Sequence, residues 1–217
     1  MSKQGDEYQY WRKAANSFDA ATAYIVGTAT QQEIRSWLTN QFENTDVCSD
    51  PLELGCGTGL YSETVAGTVK HLIATDLSSE MLEQAKDRLH GFDNVEVQKA
   101  NCYHTSLPDN AFDVVFLGNV IHVVEDPVAV LQESHRVLRS GGDIVLVDST
   151  WYGMPLWSKL GMALRYLSKF GIPPRQNRNL RPTEVAEMVE KVGFAVEELR
   201  VVGSETRAIC LRGQKTE

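Results

Sequence analysis

One stretch of the chain reads Leu52-Glu53-Leu54-Gly55-Cys56-Gly57-Thr58-Gly59, a short apolar strand followed by three glycines at alternate positions. Sequence compatible with a helix follows at once. Glycine lets a backbone turn tightly and approach a ligand closely, and the N-terminus of a helix favours ligand binding beside such a loop. The stretch therefore predicts a strand, a ligand-binding loop and a helix. An ordinary tight turn between strand and helix is the alternative.

The spacing of the glycines separates two classes of nucleotide-binding loop. A dinucleotide-binding loop follows G-x-G-x-x-G, whereas here the third glycine comes one residue early and Leu60 stands in its place. Glu53 precedes the first glycine by two positions. The loop thus resembles the first motif, E/D-x-G-x-G-x-G, of class I S-adenosylmethionine (SAM)-dependent methyltransferases. The resemblance implies a SAM site formed by Glu53, Gly55, Cys56, Gly57, Thr58 and Gly59.

The order of predicted elements extends this pattern. The first fifty residues predict helices, and strands alternate with helices from Pro51 on, which is typical of a parallel sheet. Two final strands, near 195–202 and 206–212, are joined by too few residues for a parallel crossover. The predicted fold is α/β: a Rossmann-like, doubly wound, seven-stranded sheet, mostly parallel with a C-terminal antiparallel hairpin, plus N-terminal helices. Gly141-Gly142 is predicted to end the helix before the fifth strand.

This order resembles the seven-stranded methyltransferase fold from about residue 51 to residue 212. It is most similar to the type 11 methyltransferases, a group that includes quinone-biosynthesis and small-molecule enzymes. We expect a single methyltransferase domain over residues 1–217. Its parts are expected to be an N-terminal helical cap (1–50), a SAM-binding core (51–148), a substrate-side insertion (149–183) and a C-terminal helix with hairpin (184–217).

Asp76 ends the predicted second strand, 21 residues after Gly55. A carboxylate there can accept hydrogen bonds from both ribose hydroxyls of a bound nucleoside. Leu77 and Met81 would then contact the adenine. The alternative for Asp76 is a helix N-cap, since it lies just before Ser78.

The ends of the third and fourth strands complete the predicted SAM site. Family members usually carry Asp after the third strand, and Asn101 departs from this but keeps an acceptor oxygen, with Cys102 beside it. An Asn turn is the alternative. Leu117 and Asn119 correspond to the family's fourth motif, which lines the methionine part of SAM. The D/N-P-P-Y/F/W signature of nucleic-acid amino-methyltransferases is missing here.

His122 is the candidate general base, because its intrinsic pKa suits proton removal near neutral pH. The loop after strand four faces the acceptor in the resembling fold. His104 and Asp148 are weaker candidates, and a structural role for His122 is the alternative. Methyl transfer from a sulfonium already has an excellent leaving group, so alignment carries much of the catalysis.

Composition limits the class of protein. The chain has 217 residues, 42% of them hydrophobic, with no apolar run long enough to span a membrane and no signal-peptide core at its start. Its four cysteines lack metal-ligand spacing, and we expect reduced thiols, no metal and a cytoplasmic location.

Charge is distributed unevenly. Residues 149–183 contain six basic residues and no acidic one; with a net charge of −8, the remainder carries −14. An acidic body argues against a nucleic-acid partner. We expect Arg175 and Arg178 to contact an anionic acceptor group, with peripheral contact to anionic lipid as the competing interpretation. Tyr10, Trp11 and Asp148 are further candidates for substrate contact.

The sequence therefore predicts SAM-dependent methyl transfer to a small hydrophobic acceptor, with or without an anionic group, and S-adenosylhomocysteine as product. A SAM-binding regulatory or scaffolding protein and a nicotinamide-dependent oxidoreductase are the alternatives. The acceptor atom and the choice between monomer and homodimer are not determined.

Overall fold

A seven-stranded sheet organises the computed structural model, which describes residues 3–43, 50–174 and 176–216. The strand order is β3-β2-β1-β4-β5-β7-β6. The first five strands are parallel, and β7 lies antiparallel between β5 and β6. The strands are β1 (Pro51–Leu54), β2 (Leu72–Asp76), β3 (Val95–Lys99), β4 (Phe112–Gly118), β5 (Leu138–Thr150), β6 (Phe194–Val202) and β7 (Arg207–Lys215). The predicted fold class, including the terminal hairpin, is confirmed.

Helices cover both faces of the sheet. The described helices are α1 (Lys3–Ala14), α2 (Phe18–Val26), α3 (Thr28–Glu43), α4 (Ser62–Ala66), α5 (Ser79–Leu89), α6 (Pro127–Val137), α7 (Leu156–Phe170) and α8 (Pro182–Lys191). Local chemistry sets several of their starts. The Ser78 hydroxyl accepts from the Met81 amide, the Asp126 carboxylate accepts from the Ala129 amide, and Pro182 occupies the first turn of α8.

The core forms two layers because side chains of β4 alternate between the faces of the sheet. Val115 and Leu117 belong to the layer under α6 and α8, whereas Val114 and Phe116 belong to the layer under α3 and α5. All four of these side chains are buried. Within the described residues, no helix combines the length and the apolar content needed to cross a membrane.

The predicted stop at Gly141-Gly142 is wrong. Helix α6 ends at Val137, and β5 starts at Leu138 and runs through both glycines. Leu138 pairs with Phe112 and Asp143 pairs with Val114, so β5 contains a bulge that the left-handed backbone of Gly141 (φ 72°) accommodates. The Lys215 Nζ donates to the carbonyls of His135 and Leu138, which satisfies the end of the helix instead.

The strand order reverses between β1 and β4. In open α/β sheets, a crevice outside the carboxyl ends of the strands forms at such a reversal and binds ligands. Residues that follow β1, β2, β3 and β4 therefore meet at one edge of the sheet.

Candidate active site

A cavity occupies this edge, and each neighbouring strand contributes part of its wall. From β1 and its loop come Glu53, Gly55, Cys56, Gly57, Leu60 and Tyr61. From β2 and the start of α5 come Asp76, Leu77, Ser78 and Met81, and from the loop after β3 come Ala100, Asn101, Cys102 and Tyr103. From β4 and its loop come Gly118, Asn119, Val120, Val123 and Val124, while Trp11 and Phe18 close the wall from the N-terminal helices.

The three glycines of the loop perform different tasks, although all have positive φ values. A Cβ on Gly55 would lie 2.7 Å from a methyl of Val120, so this glycine permits close packing. A Cβ on Gly59 would lie 3.2 Å from Leu89. A Cβ on Gly57 would meet no atom within 4 Å, so Gly57 borders open space on the cavity side of the loop. Gly55 and Gly57 line the cavity, and Gly59 packs against α5 instead.

Thr58 connects the loop to the N-terminal helices and does not line the cavity. Its hydroxyl donates to Asp19 at 2.5 Å, and its carbonyl accepts from Arg88 Nε at 3.0 Å. Arg88 also forms an ion pair with Asp19. These bonds hold α2 against the glycine loop, which places Phe18 over the cavity.

Glu53 is a buried carboxyl group on the cavity wall. It is 1% exposed, and its Oε2 accepts from the Ser62 hydroxyl at 2.5 Å. Burial raises the pKa of Glu53 to about 8; the Ser62 hydrogen bond opposes this rise and the negative charge of Asp76 adds to it. A cation bound in the cavity would favour the ionised form of this group.

Asp76 faces the same cavity from β2. Its Oδ2 accepts from the Gly57 amide at 2.9 Å and its Oδ1 accepts from the Ser78 amide at 2.8 Å. Ser78 is the N-cap of α5, so Asp76 does not occupy the N-cap position. Burial raises the pKa of Asp76 against these amide bonds. Each oxygen keeps a lone pair with which it can accept from a ligand.

The ionisable groups that the described residues place on the cavity wall include acids but no bases. Among the described residues that line it, two are carboxylic acids and none is Lys, Arg or His. Such a wall suits a cationic ligand and opposes a phosphate-bearing one. Among the described residues, no cluster of His, Cys, Asp and Glu is arranged to hold a metal ion.

The four residues predicted to contact the adenine lie on the cavity wall. Leu77, Met81, Asn101 and Cys102 all line the cavity. The Asn101 Oδ1 accepts from the Tyr103 amide at 3.1 Å, so the side chain forms an Asn turn while it faces the cavity.

The loop after β4 places Asn119, but not Leu117, on the wall. Leu117 is fully buried in the core, because the alternation along the strand turns its side chain away from the cavity. Gly118 lines the wall beside it. Asn119 has a positive φ of 58°, and its Oδ1 accepts from the amide and the hydroxyl of Ser149 at 3.0 and 2.8 Å.

His122 and Asp148 form a pair behind the cavity wall. The Asp148 carboxylate bonds the Nδ1 of His122, and it also accepts from the His122 amide at 3.2 Å. Asp148 is fully buried, whereas the side chain of His122 is 20% exposed. Neither residue lines the cavity, but Val123 and Val124, the next two residues along the chain, do.

The remaining candidate substrate residues have separate locations. Trp11 lines the cavity and stacks edge-on against Phe18, with ring centroids 5.9 Å apart. Tyr10 lies behind the wall, where its hydroxyl meets that of Tyr166 at 2.8 Å. The Arg178 guanidinium donates to the carbonyls of Val124 and Glu125 at 3.3 and 2.9 Å. Arg175 lies outside the described residues.

Sequence reasoning missed Tyr61, Tyr103 and the valines of the loop after β4. Burial raises the pKa of Tyr61 to about 12, so its hydroxyl stays protonated on the wall. The Tyr103 hydroxyl accepts from the Glu125 amide at 2.8 Å. Tyr61 follows the glycine loop closely and Tyr103 follows Cys102, so their positions in the sequence could have indicated that both lie near the cavity.

A family of known proteins matches the central part of the chain. The type 11 family model, described as a methyltransferase domain, matches residues 52–146. The matched stretch runs from β1 into β5 and includes the glycine loop. It confirms the resemblance of this part of the chain to the class I SAM-dependent methyltransferases of type 11.

Curated relatives match part of the chain. A demethylmenaquinone methyltransferase of Listeria welshimeri is 32% identical over 114 residues, which are 50% of this chain and 48% of the relative. An uncharacterised 37.1 kDa protein in a transposon of Streptomyces fradiae is 33% identical over 134 residues, which are 59% of this chain and 39% of the relative. The chain thus spans less than half the length of these relatives.

Solved structures share the fold at low sequence identity. A SAM-dependent methyltransferase from Aquifex aeolicus superposes with a TM-score of 0.68 at 21% identity, covering 94% of this chain and 97% of that one. The [4+2]-cyclase SpnF superposes with a TM-score of 0.67 at 17% identity, covering 85% of this chain and 81% of that one. The second case shows that this fold also occurs in a protein named for a different reaction.

Replacing Glu53 by Gln is expected to change the pH dependence of stability. The folded protein holds the Glu53 proton up to about pH 8, whereas the unfolded chain releases it near pH 4.5. The folded state therefore binds more protons between these values, and the contribution of Glu53 to the free energy of unfolding falls as pH rises through this window. Glu53→Gln has no such titration. The melting temperature of the variant should therefore rise relative to that of wild type between pH 5 and pH 8.5.

Thermal denaturation of ligand-free protein at several pH values measures this difference. Glu83→Gln, which neutralises an exposed carboxylate on α5, is the matched control. A constant difference in melting temperature between Glu53→Gln and wild type across the range would show that Glu53 is ionised in the folded protein.

Proposed function

We propose that the chain transfers the methyl group of SAM to a small hydrophobic acceptor. The observation that carries this proposal is the cavity wall with two carboxylic acids and no described basic side chain. SAM carries positive charge on its sulfonium and its α-amino group, whereas a nicotinamide dinucleotide carries negative phosphates. The wall therefore favours SAM over the dinucleotide.

The residues present fit this cofactor. Open space beside Gly57 leaves room for a ligand against the loop, and Glu53 would hold the α-amino group. Asp76 would accept from the ribose hydroxyls, and Leu77, Met81, Asn101 and Cys102 would enclose the adenine. When bound, SAM supplies an electrophilic methyl group on sulfur. The protein's own contribution is then to bind, to align the reactants and to exclude water.

The acceptor side is apolar. Trp11, Phe18, Val120, Val123 and Val124 also line the cavity and suit a hydrophobic acceptor. Because one relative that matches half of this chain is a demethylmenaquinone methyltransferase, we infer a quinone-type or similar aromatic acceptor. An anionic group on the acceptor would depend on Arg175 and on the Nη1 of Arg178, since Nη2 donates to Val124 and Glu125 and Nε donates to Gln176.

His122 lies behind the cavity wall with its side chain 20% exposed, so it would remove the proton of a weakly acidic acceptor that reaches past Val123 and Val124. With Asp148 ionised, Nδ1 of His122 carries the hydrogen and Nε2 keeps the lone pair that a base needs. The backbone of the segment that bears Arg178 supports this loop, since the Arg178 amide donates to the His122 carbonyl at 2.9 Å.

Two measurements test the proposal. Calorimetric titration with SAM, S-adenosylhomocysteine and NAD should show binding of the first two only, and binding of NAD alone would contradict the cofactor assignment. Incubation with methyl-labelled SAM and a panel of naphthoquinols and phenols should transfer label to an organic-extractable product. SAM binding without turnover of lipophilic or anionic aromatic acceptors would favour the regulatory alternative.

A further inference from the structure

The outer face of α7 is apolar and open to solvent. Its side chains are exposed by 74% (Leu156), 81% (Trp157), 54% (Leu160), 59% (Leu164) and 48% (Leu167). At 100° per residue these five side chains fall within about one third of the helix circumference. A soluble helix normally buries such an arc against a core, but here the arc faces outward.

The opposite face of α7 explains why the arc stays outside. Met162 is buried against Ala21 and Ile25 of α2, and Tyr166 and Phe170 pack on the same cluster. Phe170 in turn contacts Phe18, which lines the cavity, with ring centroids 5.9 Å apart. The helix therefore rests on the cover of the cavity with one apolar face and presents a second one outward.

Apolar residues extend the exposed arc at both ends. Trp151 and Tyr152 precede the helix and are 37% and 48% exposed, and Ile172 follows it and is 85% exposed. We call the outer arc of α7 together with these three residues the α7 surface. Leucine and tryptophan on one helix face, with aromatic residues at its margin, are typical of helices that lie in a membrane interface.

Charge separates this region from the rest of the molecule. Residues 149–183 carry six basic residues and no acidic one, in a chain whose remainder carries −14. Lys159, Arg165, Lys169, Arg178 and Arg181 form no salt bridge with a described carboxylate. Arg165 donates to the Tyr24 carbonyl and Lys169 lies over the Tyr24 ring, on the side of α7 away from the arc. An anionic surface would be attracted to this segment and repelled by the acidic remainder.

We propose that the α7 surface docks onto an anionic phospholipid bilayer. The apolar arc would enter the boundary between head groups and acyl chains. The net positive charge of 149–183 would add a long-range attraction to the anionic lipid, with Lys159 the basic residue of α7 nearest to the arc. Docking would also bring the cover of the cavity to the membrane. A lipophilic acceptor could then enter from the bilayer, and this last step rests on the proposed function.

A second copy of the chain is a poorer occupant. A two-fold symmetric contact through the α7 surface would bring the basic residues of both copies together with no acidic partner from the same segment. An anionic bilayer would bury the apolar arc and would also attract the positive charge of the segment.

Cosedimentation with vesicles tests the proposal on the full chain. Wild type should bind vesicles of equal parts phosphatidylglycerol and phosphatidylcholine and bind much less to phosphatidylcholine alone, with binding weakened by salt. The triple variant Trp157→Ser/Leu160→Ser/Leu164→Ser should lose binding at least tenfold. Lys159→Gln/Lys169→Gln should reduce binding to the anionic vesicles and its salt dependence.

Controls separate this result from misfolding and from failure of the proposed function. Leu199→Ser, which changes a residue 38% exposed on β6, should bind vesicles like wild type. Melting temperature and SAM affinity, measured without lipid, should be the same in the triple variant and wild type, because the three side chains are exposed. If wild type does not bind SAM, the methyltransferase proposal is refuted, but the docking proposal is not affected.

Three outcomes would overturn the docking proposal. One is equal vesicle binding by wild type and the triple variant, and another is no binding by wild type to anionic vesicles. The third is a wild-type dimer in sedimentation velocity that the triple variant converts to monomer while neither binds vesicles, which would assign the α7 surface to self-association.

Discussion

Replacing Asp76 by Ala is expected to lower the affinity for SAM at least tenfold. Each Asp76 oxygen bonds a backbone amide, of Gly57 or of Ser78, and the carboxylate faces the cavity. A hydrogen bond to a charged group contributes about 1.5–3 kcal/mol, and a factor of ten in affinity corresponds to about 1.4 kcal/mol. The variant loses the proposed bonds to the ribose hydroxyls and also the bond that holds the Gly57 amide.

Calorimetric titration with SAM and with S-adenosylhomocysteine measures this effect. Asp87→Ala removes the same charge from the exposed side of α5 and serves as the control for long-range electrostatics. A folded Asp76→Ala protein that binds SAM as tightly as wild type would remove Asp76 from the cofactor site.

Replacing His122 by Ala is expected to lower turnover about 10²-fold, the range for loss of a general base. The affinity for SAM should change little, since His122 does not line the cavity and its side chain bonds Asp148. Asp148→Asn should also slow turnover, because an amide cannot hold the imidazole in the tautomer that leaves Nε2 free. The measurement is kcat and KM for the acceptor as a function of pH.

The pH profile distinguishes a base from a packing residue. If His122 is the base, the acidic limb of the kcat profile should disappear in His122→Ala together with the loss of rate. His104→Ala changes an exposed histidine outside the cavity wall and should retain wild-type turnover. Turnover by His122→Ala within a few-fold of wild type, with an unchanged profile, would limit His122 to positioning the loop after β4.

Glu53 and Asp76 illustrate how much of the site could be predicted from sequence. Both were found from their spacing to the glycines, because a strand followed by a tight loop places the next side chains at the carboxyl edge of the sheet. Which glycine borders open space could not be predicted. That property depends on Val120 and Leu89, which approach Gly55 and Gly59 from distant parts of the chain.

Leu117 and Thr58 show the limits of carrying a motif over residue by residue. Both belong to motif stretches, yet Leu117 is turned into the core and Thr58 binds Asp19 of α2. A motif reports which backbone segment approaches a ligand. The direction of each side chain depends on strand alternation and on the helices that pack against the loop.

Local patterns alone predicted the order of strands and helices and the antiparallel end of the sheet, and indicated the resemblance to methyltransferases. These follow from hydrophobic periodicity, connection length and glycine spacing, all of which act over a few residues. Only the tertiary structure decided that His122 is paired with buried Asp148, that Arg178 binds backbone carbonyls and that the apolar arc of α7 faces outward. Each of these depends on contacts between residues far apart in the chain, and helical periodicity shows that α7 is amphipathic but not which of its apolar faces is covered.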